Sequence, residues 1–176
     1  MNKSIYFPNE KDTARFLLGE QSDSMLACLG INPSTARPGA LDRTLQSVVR
    51  IATHNGYSGY LMLNVYPQRA TNPEDLHKRI NKAYHRQNVD AIVQAIHKYK
   101  VDTLWLAYGD LIDHRKYFQR CLQEIYEALE IFDLNYVVAG TLTAKGNPRH
   151  PLYQAAKSQL EKLPANAVIG LRQFQK

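Results

Sequence analysis

Residues 25–36, MLACLGINPSTA, constrain the fold more than any other stretch of the chain. Met25 to Leu29 form a continuous apolar run with the length of a strand buried on both faces, which requires a parallel or mixed sheet covered by helices. Gly30 ends the run, Pro33 fixes the backbone and removes a donor, and Ser34 and Thr35 suit a capped turn. Asn32 is thereby delivered at the carboxyl end of a central strand, where open α/β sheets bind ligands. An Asn at such a turn also bonds its own backbone, so the local pattern leaves both roles open.

The same scheme recurs along the chain. Leu41, Leu45, Val48, Val49 and Ala52 have helical spacing, with Asp42 in the first turn and Asn55-Gly56 past the end. Residues 60–67, YLMLNVYP, read as a second buried strand that presents Asn64 and continues into Gln68 to Pro73. Asn72-Pro73-Glu74-Asp75-Leu76 is a turn opening a short helical segment. From Tyr84 onward, Val89, Ile92, Val93, Ile96 and Tyr99 mark a helix. A third strand, residues 101–108, stops at Gly109-Asp110, and Phe118, Leu122, Ile125 and Leu129 predict a helix capped by Asp113. The last core strand, residues 135–141, leads into the Gly- and Pro-containing loop 142–153. Ala14 to Leu18 and Ala167 to Leu171 are candidate edge strands, and Ala156 and Leu160 carry weak helical spacing.

Strands alternating with helices predict a three-layer α/β/α sandwich around a central, mainly parallel four-stranded sheet with added edge strands. The 176 residues suffice for one core and no Pro/Gly/Ser-rich linker divides them, so a single domain over 1–176 is expected. All four core strands end in polar loops, bringing Asn32, Asn64, Gly109-Asp110 and residues 147–150 towards one rim.

Charge narrows the choice of ligand. There are 22 Lys and Arg against 16 Asp and Glu, a net charge of +6, which favours an anionic partner. Lys78, Arg79, Lys82, His85 and Arg86 form one basic group, and Lys145, Arg149 and His150 another; a solvated face is the simpler reading of the first. Cys28 in a strand and Cys121 in a helix lack metal-site spacing, no nucleophilic triad or phosphate-cradling glycine motif stands out, and no metal or cofactor is expected. The segment MNKSIYFPNEKD lacks the apolar core of a signal peptide and no stretch has the length of a membrane span. The expectation is a cytoplasmic protein without a membrane partner, whose oligomeric state the sequence does not reveal.

LGINPSTA (29–36), LNVYPQRATNPEDL (63–76), LAYGD (106–110) and GNPRHPLY (146–153) resemble the recurring elements of domain of unknown function family 1643. More distantly, the chain resembles the uracil-DNA glycosylase superfamily, in the same order through four strands, and that resemblance implies the same sandwich fold. Residues 30–33 are similar to the motif whose Asn positions the attacking water in mismatch-specific glycosylases, although Ser34 stands where those carry Gly and no carboxylate accompanies Asn32. Leu63-Asn64 resembles the strand end whose Asn reads a flipped pyrimidine. Either Asn147-Pro148 or His150-Pro151-Leu152 resembles the last motif, which holds a catalytic His or a DNA-wedging loop.

These resemblances imply recognition of a nucleobase or nucleotide, with hydrolysis of an N-glycosidic bond in DNA as the activity. Asn32 and His150 are the catalytic candidates, Asn64 and Tyr66 would read and stack the base, and Arg69, Lys145 and Arg149 would bind phosphate. Each has a structural alternative. His150 can fix its loop, Asn64 can satisfy a strand end, Tyr66 can be packing, and Arg69 can pair with Asp75 or Asp110. Asp110 is either an acid or base or a helix cap, and His54 and His114 read as surface residues. Two other functions fit the pattern: a non-catalytic nucleic-acid-binding module and an enzyme acting on a free nucleotide-like metabolite.

Overall fold

The computed structural model describes residues 3–163. Their strands are β1 (Lys3–Pro8), β2 (Arg15–Gln21), β3 (Met25–Gly30), β4 (Gly59–Asn64), β5 (Thr103–Leu106), β6 (Asn135–Ala139) and β7 (Leu160–Lys162). The helices are α1 (Arg43–His54), α2 (Lys82–Lys98) and α3 (Lys116–Leu129). All strands join one sheet in the order β1-β2-β4-β3-β5-β6-β7.

The inner four, β4, β3, β5 and β6, run parallel and are the four apolar runs of the sequence. The sheet nevertheless has seven strands rather than four. On one side β2 pairs antiparallel with β4 and β1 with β2; on the other β7 pairs antiparallel with β6. β2 takes up Arg15 to Leu18 of the expected edge-strand run, with Ala14 in an isolated bridge to Gln68, but is covered by β1, whose own pattern is uninformative because only Ile5 of its residues is buried. β7 replaces the weak helical spacing near Leu160: its register against Val137 to Ala139 fixes it as a strand. The strand expected at 167–171 lies outside the described residues.

Side-chain alternation divides the core into two layers. Ala27, Leu29, Leu61, Leu63, Leu104 and Leu106 pack with α2 and α3 on one face. Leu26, Cys28, Tyr60, Met62 and Trp105 pack with Leu45, Val48 and Ile51 of α1 on the other. This is the expected three-layer arrangement of one helix, sheet and two helices. Fully burying a large apolar side chain such as Leu29 or Trp105 stabilises the fold by roughly 2–3 kcal/mol each.

Two helix starts differ from expectation. Asp42 is the N-cap of α1 rather than a first-turn residue; its Oδ1 accepts from the Leu45 N–H at 2.9 Å. Asp113 does not cap α3. It ends a separate 3-10 turn, Asp110–Asp113, while α3 begins after Arg115 without a side-chain cap. Asn72, by contrast, does cap the short turn Pro73–Asp75.

Chain order explains where a ligand can sit. β3 leads through α1 to β4 on one side, whereas β5 leads through α3 to β6 on the other. The carboxyl ends of adjacent β3 and β5 therefore send their loops in opposite directions and leave a crevice between them.

Candidate functional site

A cleft of about 1330 Å³ occupies that crevice, walled by the loops after β3, β4, β5 and β6. It exceeds the roughly 300–1,000 Å³ of common small-ligand sites and so has room for more than one base-sized group.

Asn32, half-buried in the cleft wall, is held by its amide. Nδ2 donates to the carbonyls of Pro33 at 3.0 Å and Ala70 at 2.9 Å. Oδ1 is left without a donor among the described residues, as an acceptor at a strand end. The wall is further tied by Ser34, whose hydroxyl lies 2.9 Å from that of Thr71.

Asn64 is 0% exposed, and neither Oδ1 nor Nδ2 has a hydrogen-bond partner among the described residues. Leaving a buried polar group unpaired costs roughly 1–3 kcal/mol. The amide lies just below the cleft floor: a Cβ built on Gly30 would meet Asn64 Oδ1 at 3.4 Å and Met62 Cε at 2.6 Å. Gly30 and Met62 both line the cleft, and only glycine leaves them this space. Asn88 supports the strand end, donating from Nδ2 to the Asn64 carbonyl at 2.8 Å.

His150 lines the opposite wall. Its Nδ1 accepts the Leu152 N–H at 3.3 Å, which makes Nε2 the protonated nitrogen of the neutral ring. Burial pushes the imidazole below its ordinary pKa, against a smaller opposing pull from Asp42. Gly109, at φ +64°, brings the end of β5 beneath it; the Gly109 N–H donates to the Pro148 carbonyl at 2.9 Å, and a Cβ on Gly109 would stand 3.4 Å from His150 Cβ.

Asp110 is not a helix cap. Its Oδ1 accepts from Asn147 Nδ2 at 2.9 Å and Thr143 Oγ1 at 2.7 Å, and these bonds hold its carboxyl below the ordinary value. Asn147 is thus occupied as a tie between β5 and the last loop, whereas His150 faces the cleft. Lys145 and Arg149 line the cleft too; Lys145 approaches Asp113 at 3.5 Å and Arg149 Nε donates to the Thr141 carbonyl at 2.9 Å.

Tyr66 and Arg69 lie elsewhere. Tyr66 is in the α2/α3 core, against Tyr117 and Phe118, with its hydroxyl 2.8 Å from His77 Nδ1 and accepting the Asn81 N–H. Burial raises it to about 12. The aromatic residues lining the cleft are Tyr108 and Tyr153. Arg69 pairs with neither Asp75 nor Asp110. It donates to Asp12 at 2.9 Å, to the carbonyls of Ser34 at 2.6 Å and Ala36 at 3.2 Å, and to the Tyr6 hydroxyl at 2.8 Å.

The first basic group is likewise divided. Lys78, Arg79, Lys82 and Arg86 are exposed and line no part of the cleft, while His85 is buried and bonds Glu124 at 2.6 Å. His54 is exposed as expected. His114 is instead half-buried in the cleft wall, beside Arg115 and the Pro73 carbonyl.

Two residues of the cleft carry no signal in the sequence reading. Asp42 lines it, and with Oδ1 spent on the α1 cap its second oxygen has no partner among the described residues. Arg15, read only as part of a strand, is 1% exposed and lines the cleft as well. Among the described residues no three His, Cys, Asp or Glu side chains gather as a metal site, and no helix is long and apolar enough to cross a membrane. Cys28 and Cys121 are both free and buried.

A family model described as "Protein of unknown function (DUF1643)" matches residues 15–152. No curated protein and no solved structure gives a match.

Proposed function

Since the chain belongs to the family of proteins of unknown function DUF1643, we propose from its geometry that the cleft recognises a nucleobase or nucleotide and hydrolyses its N-glycosidic bond, in the manner of a uracil-DNA glycosylase. The observation that carries this reading is the Asn64 amide: buried, with a donor and an acceptor unpaired among the described residues, and lying against Gly30 and beside the flexible side chain of Met62, both of which line the cleft. A base edge offers the complementary acceptor and donor side by side, which satisfies both atoms at once. Rotation of Met62 opens the way to it.

The remaining groups fit hydrolysis. Asn32 Oδ1 orients a water, its rotamer fixed by the two bonds from Nδ2. The free oxygen of Asp42 takes the proton of that water as it adds to the anomeric carbon, which supplies the carboxylate missing from the strand-end motif. The departing base leaves with the electrons of the C–N bond as an anion, and the neutral His150 ring stabilises it through Nε2–H. Tyr153 projects at the mouth as a stacking face, and Lys145 and Arg149 contact phosphate at the rim.

The test is binding and base release on labelled single- and double-stranded DNA carrying uracil, hypoxanthine or a G·U mismatch, at low and high salt. Release that disappears in Asn32→Ala and His150→Ala supports the reading. Salt-sensitive binding without release turns it towards a binding module, and retention of activity in both variants sinks the assignment. The imidazole nitrogens of His150 provide a separate check by NMR: a neutral ring protonated on Nε2 at pH 7 is expected, and a doubly protonated ring contradicts the role given to it.

A further inference from the structure

Arg15 is the most unusual charge in the molecule. It enters from β2, outside the parallel unit, and its guanidinium is almost completely buried at the cleft. Among the described residues it makes one side-chain hydrogen bond, Nη1 to the Ala36 carbonyl at 3.3 Å, and no ion pair. Nε is buried with no partner among the described residues. Burial pushes the group down to about 10 and Arg69 repels it, against an attraction from Asp42, which does not bond to it. An arginine stays charged under all ordinary conditions, and a buried charge without a hydrogen-bonded counter-ion is strongly unfavourable.

The adjoining loop offers further donors. The N–H groups of Asn32, Ser34, Thr35 and Ala36 donate to no described residue, Asn32, Ser34 and Thr35 line the cleft, and the Ala36 carbonyl is the group Arg15 touches. A buried fork of guanidinium donors beside backbone donors left open to the cleft has the complement of a compact oxyanion.

We propose that Arg15 and the 32–36 loop bind a terminal phosphate monoester of the ligand inside the cleft. Depth selects the chemistry. A phosphodiester within a strand carries a sugar on either side, which keeps it at the rim with Lys145 and Arg149. A monoester is attached at one oxygen only and can be carried in to the buried guanidinium. The ligand is therefore a nucleoside monophosphate or a phosphorylated strand end. This inference rests on the nucleobase reading above and narrows it.

The experiment measures affinity by calorimetry for a nucleoside panel, the matching 5′- and 3′-monophosphates, inorganic phosphate, and short oligonucleotides with and without a terminal phosphate. Monophosphates are expected to bind at least about tenfold more tightly than nucleosides, the effect of a charge-assisted bond. Arg15→Met and Arg15→Lys should both remove that preference, the second because an ammonium lacks the fork. If Arg15→Met does not fold, Arg15→Lys decides alone. Equal binding of nucleosides and monophosphates, or an undiminished preference in Arg15→Lys, overturns the anion site while leaving the base reading intact. Binding of inorganic phosphate that depends on Arg15, with no affinity added by any base, supports the anion site and removes the base reading. Preference for phosphorylated strand ends over free monophosphates identifies the source of the phosphate.

Discussion

Arg69→Met separates a cation that holds the cleft wall from one that meets a ligand. Arg69 ties β1 to the loop after β3 through the Tyr6 hydroxyl and the carbonyls of Ser34 and Ala36, and it pairs with Asp12. The losses are unequal. The Ala36 carbonyl keeps Arg15, and Asp12 keeps Arg37, so these two partners are not orphaned. Asp12 is also 29% exposed, and such a pair contributes less than about 1 kcal/mol. The Tyr6 hydroxyl keeps its bond to Asp12 Oδ1 at 3.2 Å, so the Ser34 carbonyl is the partner that loses its charged donor, worth roughly 1.5 kcal/mol on the low side of charge-assisted bonds. With the Asp12 pair the sum is about 2 kcal/mol. For a chain of this size that lowers the melting temperature by roughly 4–8 °C. With a urea m-value near 2 kcal/mol/M it moves the midpoint down by about 1 M without changing m. Urea denaturation followed by circular dichroism measures it, with a salt titration of oligonucleotide binding in parallel. A midpoint within about 0.2 M of wild type, together with a shallower salt slope, would refute the reasoning and return Arg69 to phosphate binding.

Two further outcomes are expected. Gly109→Ala forces a side chain into a backbone region that glycine alone adopts readily, at φ +64° and ψ −171°, while its Cβ meets His150 at no less than ordinary contact distance; thermal unfolding should show a loss of about 1–3 kcal/mol, and a wild-type melting curve would contradict the strain. Asp110 has its carboxyl held down by Asn147 and Thr143, so its grip on the 141–150 loop is complete above the unfolded carboxylate range and is lost as pH falls through the lower folded value. Limited proteolysis should find that loop protected at pH 5 and increasingly cleaved in strong acid, whereas Asp110→Ala should be cleaved equally at both; a pH-independent wild type would exclude the tie.

The parallel strands are readable because burial on both faces leaves unbroken apolar runs, as at Leu26 to Leu29 and Leu61 to Leu63. β1 and β7 are not, because their place is set by a partner's register and only one of their nine residues is buried. Asn32 and Asn64 are legible as polar residues at the ends of strands, and His150 as a polar residue of the loop that follows the last parallel strand. Tyr66 misleads because the ladder of β4 stops at Asn64: alternation is lost there, and Val65 and Tyr66 both turn into the same α2/α3 core. Asp42 looks like a routine helix-start residue, and only the fold brings it to the crevice. Arg15 is hidden by convention, since an Arg in a short apolar run reads as a solvated end.

That Arg15 comes from β2 has a bearing on how chains of this shape diversify. The parallel strands and their loops carry Asn32, Asn64 and His150, whereas the buried charge of the cleft is delivered by an outer hairpin joined antiparallel to them. On the reading proposed above, recognition of a phosphate is thus encoded on a different segment from recognition of a base. Exchanging residues 3–21 between related chains would then change the phosphate preference while leaving the base-reading strands in place.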